Sequence, residues 1–191
     1  MPESSSIEGT IIRTYQLNAN PERVYEAFTN KKDLEMWKAD DYEIEPRKGG
    51  KYKMGLESDG YTFTGEFLEL VPNEKIVYSW KMNEYDENSK KLIPHWSHDQ
   101  PTKVTVRFEK AGNQGTKITL IHEGFPERDE QYFMHEVGWD LIIGKVLGAY
   151  LEKNTQDYLR WWKEQEPTWQ QTWQKMTEER IKAAERMKVE A

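Results

Sequence analysis

The alternation of apolar and polar positions predicts that most of the chain before residue 125 forms β-strands. Residues 51–56 alternate the apolar Tyr52, Met54 and Leu56 with polar or small neighbours, which is the pattern of a half-buried strand. Similar patterns mark the segments 10–17, 42–46, 61–71, 76–82, 104–108 and 118–122. Short turn signals join several of these segments, so we expect hairpins and an antiparallel sheet.

Two short helices are predicted after the first strand. Asn20, Pro21 and Glu22 provide a capping side chain, a proline at the first helical position and an acid in the first turn. Residues 32–37 are predicted to add a second short helical turn, which ends on the aromatic residue Trp37. The strand pattern resumes after this point.

A long helix is predicted to begin near Asp129, where the apolar spacing changes to three or four residues, and to run on until Pro167. Its apolar face carries His135, Trp139, Ile142, Val146 and Tyr150. Gly138, Gly144 and Gly148 interrupt this face, and a Gly costs about 1 kcal/mol against Ala in a helix interior. We infer that another group approaches the backbone closely there, or that room is left for something else.

The segment 168–189 is predicted to form a separate helix, in which Trp169, Trp173 and Met176 recur at spacings of four and three. Exposed Trp side chains would be unusual in water, so we expect something to cover them. The favoured interpretation is that the segment packs back on its own domain. The alternative is that it binds a protein partner or a second copy of the chain, as a helix in a groove.

Composition limits the class of protein. The 191 residues carry a formal net charge of −7, which makes nucleic acid or an anionic membrane surface a poor partner. The absence of Cys excludes disulfides and fits the cytoplasm, and the apolar stretch 141–151 is too short to span a bilayer. We expect a cytoplasmic protein with a disordered tail (1–9), one domain (10–160) and a Trp-rich helical extension (161–191).

Four groups of residues, taken in order, resemble one known superfamily. The groups are 20–29 with Leu34 and Trp37, 65–72 with 76–80, 115–125, and Gly138-Trp139 with Leu147, Tyr150 and Leu151. They resemble the SRPBCC (START-like) superfamily, and within it the homologues of the C-terminal domain of the activator of heat-shock chaperone ATPase. The resemblance implies an α+β helix-grip fold, with a curved antiparallel β-sheet around a long C-terminal α-helix and two short helices after the first strand. The loop 83–102 is longer than the resemblance implies, and the Trp-rich tail 161–191 has no counterpart in it.

Members of this superfamily hold hydrophobic or amphipathic small molecules between sheet and helix, so the resemblance implies a ligand cavity and a small hydrophobic molecule as partner. A curved sheet and a helix cannot interdigitate along their whole length, which favours the same space on physical grounds. The candidate ligand-binding residues are Trp37, Met54, Phe63, Tyr78, Trp80, Val106, His122, Trp139 and Ile142. The alternative is that these side chains fill the space as core.

His122 continues the face of Ile118 and Leu120 and is predicted to point inward. Two roles remain open for it. As a functional residue it would be a polar anchor or a proton donor for a bound ligand. As a structural residue it would be a core His bonded to a backbone carbonyl.

Metal and nucleophile chemistry find little support in the sequence. His95 and His98 lie in a polar loop without an acid at ligand spacing, so we expect no metal site and no cofactor. No nucleophile motif is present. Glu66 and Glu69 lie in the resembled hairpin, and an inward Glu would need a partner or a raised pKa. No catalytic residue is predicted.

Three functions remain as hypotheses. The first is a carrier or sensor for an apolar small molecule held in the cavity. The second is a chaperone accessory or stress-response protein that acts through its outer surface, with a homodimer or protein partner formed through the Trp-rich tail. The third is an enzyme that uses His122 or a buried Glu as a general acid or base.

Overall fold

The structure, a computed structural model, describes residues 9–38, 41–56, 61–86, 91–94 and 100–189. Its sheet contains eight strands, all paired antiparallel, in the order β1-β8-β7-β5-β4-β3-β2 with β6 beside β5. The strands are β1 (Ile11–Leu17), β2 (Asp41–Ile44), β3 (Lys51–Leu56), β4 (Tyr61–Val71), β5 (Lys75–Asp86), β6 (Lys91–Pro94), β7 (Thr102–Ala111) and β8 (Gly115–Glu123).

Helices cover one face of this sheet. They are α1 (Pro21–Thr29), α2 (Lys31–Trp37), α3 (Glu130–Leu141), a π-helical segment (Ile142–Leu147), α4 (Gly148–Glu152), α5 (Thr155–Gln165), a short 3-10 turn (Glu166–Thr168) and α6 (Trp169–Val189). Asn20 caps α1 by accepting from the Arg23 N–H, as its sequence predicts. No helix in the described residues is long and apolar enough to cross a membrane.

The inner face of the sheet forms a core of alternating buried side chains. In the register of the strands Phe63 pairs with Met82, and both side chains are buried between sheet and helix. Val106 lies opposite Leu120 and is also fully buried. The period-two alternation therefore produces one apolar face, as a half-covered antiparallel sheet requires. The helix-grip prediction is confirmed.

Two predicted elements differ from the structure. The long helix ends at Glu152 rather than near Pro167, because Asn154 caps a new helix by accepting from the Asp157 N–H. Part of the predicted loop 83–102 is strand, since β5 extends to Asp86 and β6 pairs with it. The candidate metal residues His95 and His98 lie outside the described residues, as do residues 1–8 of the predicted tail.

The last helix, α6, packs across α3. The Trp173 indole N–H donates to the Met134 carbonyl over 2.9 Å, and its ring lies directly over the backbone at Gly138. A Cβ at Gly138 would come within 2.5 Å of that ring, so only glycine permits this contact. Helix α3 of the same chain therefore covers the Trp173 ring.

An ion-pair cluster also holds α6 against α3. Arg180 of α6 binds Glu136 over 2.6 Å and Asp140 over 2.8 Å, both on α3. Arg13 of β1 binds the same two carboxylates. Because each carboxylate is shared by two guanidinium groups, the cluster joins β1, α3 and α6 into one unit.

Replacing Arg180 with Gln is expected to loosen α6 and leave the sheet intact, because it removes two charge-assisted hydrogen bonds to α3. We expect the free energy of unfolding to fall by about 1–3 kcal/mol. We also expect faster amide hydrogen exchange confined to residues 169–189, measured by mass spectrometry.

The matched control is Lys182→Gln, on the exposed side of α6, where the ammonium lies 3.9 Å from Glu178. That variant is expected to exchange like the wild type. Equal exchange in both variants would contradict the anchoring role of Arg180.

Candidate functional site

A buried lysine lies at the centre of the apolar space between sheet and helices. Lys38 directly follows α2, and only 8% of its surface is exposed. Its ammonium lies between 5.5 and 6.0 Å from the centroids of five aromatic rings. The rings belong to Phe28, Trp37, Tyr78, Trp80 and Trp139. We call Lys38 and these five rings the lysine cage.

The lysine cage contains no counter-charge among the described residues. Ring faces attract a cation, but each such contact is worth only about 0.5–2 kcal/mol and does not replace water. Burial therefore disfavours the charged form and lowers the pKa of Lys38 to about 7. Near neutral pH the amine is present in both its charged and its neutral form.

A small cavity of about 30 Å³ opens beside the lysine cage. Five of the predicted wall residues line it, namely Met54, Phe63, Trp80, Trp139 and Ile142. Lys38, His135 and Trp173 complete much of the lining and were not predicted from the sequence. A volume of this size holds one or two waters and is far below the several hundred Å³ of a typical ligand pocket.

The other four predicted wall residues lie elsewhere in the core. Trp37 and Tyr78 lie next to Lys38 but do not line the cavity, and Trp37 donates its indole N–H to the Ala27 carbonyl over 2.8 Å. Val106 is buried in the sheet. His122 is fully buried behind Trp139. Whether the nine residues bind a ligand remains a prediction.

His122 is fully engaged in hydrogen bonds. Its Nδ1 accepts from the Trp139 indole N–H over 3.1 Å, and its Nε2 lies 2.7 Å from the Thr102 hydroxyl. Because Thr102 donates to the Trp80 carbonyl, Nε2 carries the proton and donates to the hydroxyl oxygen. Burial, and then the neighbouring His135, hold the pKa of His122 well below its usual range. His122 is a neutral core residue, although its partners are an indole and a hydroxyl rather than the expected carbonyl.

His135 holds the second indole in the same way. Its Nδ1 donates to the Gln131 carbonyl over 2.8 Å, which leaves Nε2 to accept from the Trp80 indole N–H over 3.0 Å. The two histidines thus fix Trp80 and Trp139, the two indoles that lie against Lys38. Both act as positioning residues for the lysine cage.

Tyr78 brings an unsatisfied hydroxyl group to the lysine cage. Its hydroxyl is buried and has no hydrogen-bond partner in the described part of the chain. Burial, and to a smaller extent Tyr42, raise the pKa of Tyr78 well above its usual range, so the phenol stays protonated. An unpaired buried hydroxyl costs about 1–3 kcal/mol, a cost that a polar ligand atom within reach would offset.

Trp173 separates the cavity from a larger surface groove. The groove has a volume of about 370 Å³ and runs between α6, α3 and the strands β4 and β5. Phe63, Met134 and Trp173 line both spaces. These three side chains therefore lie between the two spaces, and the Trp173 ring is the largest of them.

The sequence offered one overlooked signal for Lys38. Leu34 and Lys38 are four residues apart, so the stripe that buries Leu34 on α2 continues onto Lys38. A Lys at a helix end is ordinarily expected to be exposed to solvent, so Lys38 was not considered as a buried residue.

Glu66 and Glu69, the two acids of the hairpin, are both exposed, and Glu69 pairs with Lys75 over 2.7 Å.

The sequence is similar to one known protein family and to a curated relative. Residues 18–152 match the family model described as activator of Hsp90 ATPase homolog 1-like protein. The mouse activator of 90 kDa heat shock protein ATPase homolog 2 is 28% identical over 110 residues, which is 58% of this chain. The chain spans only 28% of the length of that relative.

Two solved structures share the fold. The solution structure of the Aha1 dimer from Colwellia psychrerythraea has a TM-score of 0.61 at 20% identity, covering 76% of this chain and 98% of its own. An HSP90 activator from Plasmodium falciparum has a TM-score of 0.54 at 24% identity, covering 71% of this chain and 96% of its own. At these identities the likeness supports the shared architecture alone.

Replacing Lys38 with Met is expected to stabilise the protein near neutral pH, because it removes a buried group that must be desolvated. The unfolded chain holds a proton on Lys38 up to its ordinary pKa of 10.5, whereas the folded protein releases it at about 7. The stability of the wild type should therefore rise with pH across this window by about 1.4 kcal/mol per unit relative to the variant. Urea unfolding at several pH values measures this slope.

The control is Lys32→Met, at an exposed position of α2. This variant should run parallel to the wild type between the same pH limits. If the Lys38→Met profile also ran parallel to the wild type, Lys38 would keep its ordinary pKa and the account of the lysine cage would be wrong.

Proposed function

The chain belongs to the activator of Hsp90 ATPase homolog 1-like family, and from this premise we propose that it binds a small amphipathic molecule between sheet and helices. The polar end of that molecule would accept a hydrogen bond from Lys38, and its apolar part would lie against the indoles of Trp80 and Trp139. The observation that carries the proposal is the Lys38 ammonium, buried among five rings with no carboxylate on it in the described residues.

The energetics of Lys38 support this role. An unpaired buried cation is destabilising, and such a residue is commonly found where function requires it. A ligand carboxylate on Lys38 would supply the missing counter-charge and favour the protonated amine. Binding of a carboxylate is therefore expected to raise the pKa of Lys38 and to strengthen as the pH falls towards 7.

Access to Lys38 requires movement of Trp173. The cavity of about 30 Å³ cannot hold an aromatic ligand, whereas the neighbouring groove of about 370 Å³ can. Rotation of the Trp173 ring, or a shift of α6, would merge the two spaces. In this proposal the closed arrangement is the unliganded form, and the ligand replaces the Trp173 ring.

Replacing Trp173 with Ala tests this proposal with naphthalene-2-carboxylate as the probe. The variant is expected to bind the probe at least about tenfold more tightly than the wild type, because the probe no longer has to displace a packed indole. Adding Lys38→Met to that variant should remove the gain for the carboxylate and leave the weak binding of plain naphthalene unchanged. Isothermal titration calorimetry measures all of these affinities.

Trp169→Ala is the matched control, because Trp169 packs against Trp162 and does not line the cavity. It should bind the probe like the wild type. The proposal fails if opening Trp173 leaves the affinity unchanged, or if the variant lacking Lys38 binds the carboxylate equally well.

A second candidate function is work on a chaperone, and it is supported by the family and by the names of its relatives. The mouse relative is named an activator of 90 kDa heat shock protein ATPase, and the structure from Plasmodium falciparum is described as an HSP90 activator. Contact with a chaperone would use the outer surface, on which Leu68 of β4 and Ile12 of β1 are exposed apolar residues.

The chaperone hypothesis predicts that the chain raises the ATPase rate of a 90 kDa heat shock protein at least about twofold, and that Lys38→Met does so equally. The equal effect is expected because Lys38 is buried and cannot touch a partner surface. A coupled-enzyme ATPase assay measures the rate. No stimulation at saturating protein would remove this candidate and leave ligand binding in place.

A further inference from the structure

We infer that Lys38 is a nucleophilic amine that forms a reversible imine with amphipathic aldehydes or ketones held against the lysine cage. The inference rests on the proposed function, because it uses the same space and the same residue. It goes further in naming the ligand class as carbonyl compounds and in making the contact covalent.

The contrast with other cations of the fold supports this role. Arg13, Arg23 and Arg180 are partly buried, and each is bound by carboxylates at 2.5–3.2 Å. A carboxylate would hold Lys38 in its protonated form, which has no lone pair and cannot attack a carbonyl. Within the described residues Lys38 meets only rings and the cavity. The site leaves its amine free to react.

The population of neutral amine favours Lys38 over exposed lysines. With a pKa of about 7, about half of Lys38 is neutral near pH 7. An exposed lysine with a pKa of about 10.4 is neutral in only about 4 molecules in 10⁴ at that pH. The advantage in reactive amine is about 10³-fold. The titratable side chains that face Lys38 from the neighbouring elements are Tyr78 of β5 and His135 of α3, and neither supplies a carboxylate that would hold the amine in its charged form.

The reaction balances without an oxidant or a cofactor. The Lys38 lone pair attacks the carbonyl carbon, a C–N bond forms, and the carbonyl π electrons move to oxygen. A proton passes from nitrogen to that oxygen, and a second proton, taken from solvent, converts the hydroxyl into a leaving water. The nitrogen lone pair then forms the C=N bond as water leaves, so that amine, carbonyl and one proton give a protonated imine and one water. Return of the N–H proton to solvent gives the neutral imine. The cavity of about 30 Å³ has room for that water.

The rings of the lysine cage also suit the product. The protonated imine is a cation at the position of the ammonium, where the faces of Trp80, Trp139 and Tyr78 surround it. The apolar surroundings favour loss of water, and an imine shielded from bulk water is hydrolysed more slowly.

Reductive trapping tests the inference with the full chain and benzaldehyde as the probe. Sodium cyanoborohydride reduces an imine to a stable secondary amine, which peptide mass spectrometry assigns to a residue. Near pH 7 we expect at least about tenfold more adduct on Lys38 than on the exposed Lys32 or Lys145. This ratio is smaller than the about 10³-fold excess of neutral amine because the probe reaches the buried Lys38 less easily. Trp173→Ala should increase trapping at Lys38, and Lys38→Met should abolish that adduct.

The pH profile provides a second readout that a merely accessible lysine would not show. Trapping at Lys38 should rise with pH and level off above about 7, whereas an amine exposed to water should continue to gain adduct well above that pH. Adduct spread over exposed lysines with none on Lys38, in the wild type and in Trp173→Ala, would overturn the inference. If trapping at Lys38 failed while naphthalene-2-carboxylate still bound through Lys38, only the covalent step would be wrong. If both the trapping and the Lys38-dependent binding of the carboxylate failed, the proposed function would be overturned too.

Discussion

The burial of the Lys38 ammonium, with no counter-charge on it from the residues that the structure describes, is the constraint on which the site depends. Helical spacing from Leu34 brings Lys38 to the inner side of α2, and five rings take the place of water around it. His122 and His135 then hold the indoles of Trp139 and Trp80 in position. Because a cation so placed opposes folding, the surrounding core must supply the stability that Lys38 removes.

In the proposed function, the C-terminal helix gives this site a closed and an open arrangement. Trp173 fills the space over Gly138, and Arg180 fastens the same helix to Glu136 and Asp140. Both contacts lie on α3, and Arg13 ties the same two carboxylates to β1. A ligand that fits the joined space would compete with a side chain of the protein itself, and its measured affinity would include the cost of displacing that side chain.

The sequence allowed the sheet, its polarity and the first helices to be predicted, because strand alternation and capping residues act locally. The end of α4 was predicted wrongly, since the apolar spacing continues to Tyr158 and hides the capping signal of Asn154. Lys38 was missed because its burial depends on rings that come from α1, α2, β5 and α3. The size of the cavity was equally hidden, since it is set by Trp173, which lies far along the chain from the walls it closes.

The pKa of Lys38 is the property that tests the account most directly. Carbon-13 labelling of lysine at Cε allows its resonance to be followed by NMR during a pH titration, and Lys38→Met identifies the signal. A midpoint at about 7 would agree with an unpaired amine in an apolar cage. A midpoint near the ordinary value of about 10.4 would mean that water or an acid reaches the ammonium, and the proposed ligand site would lose its basis.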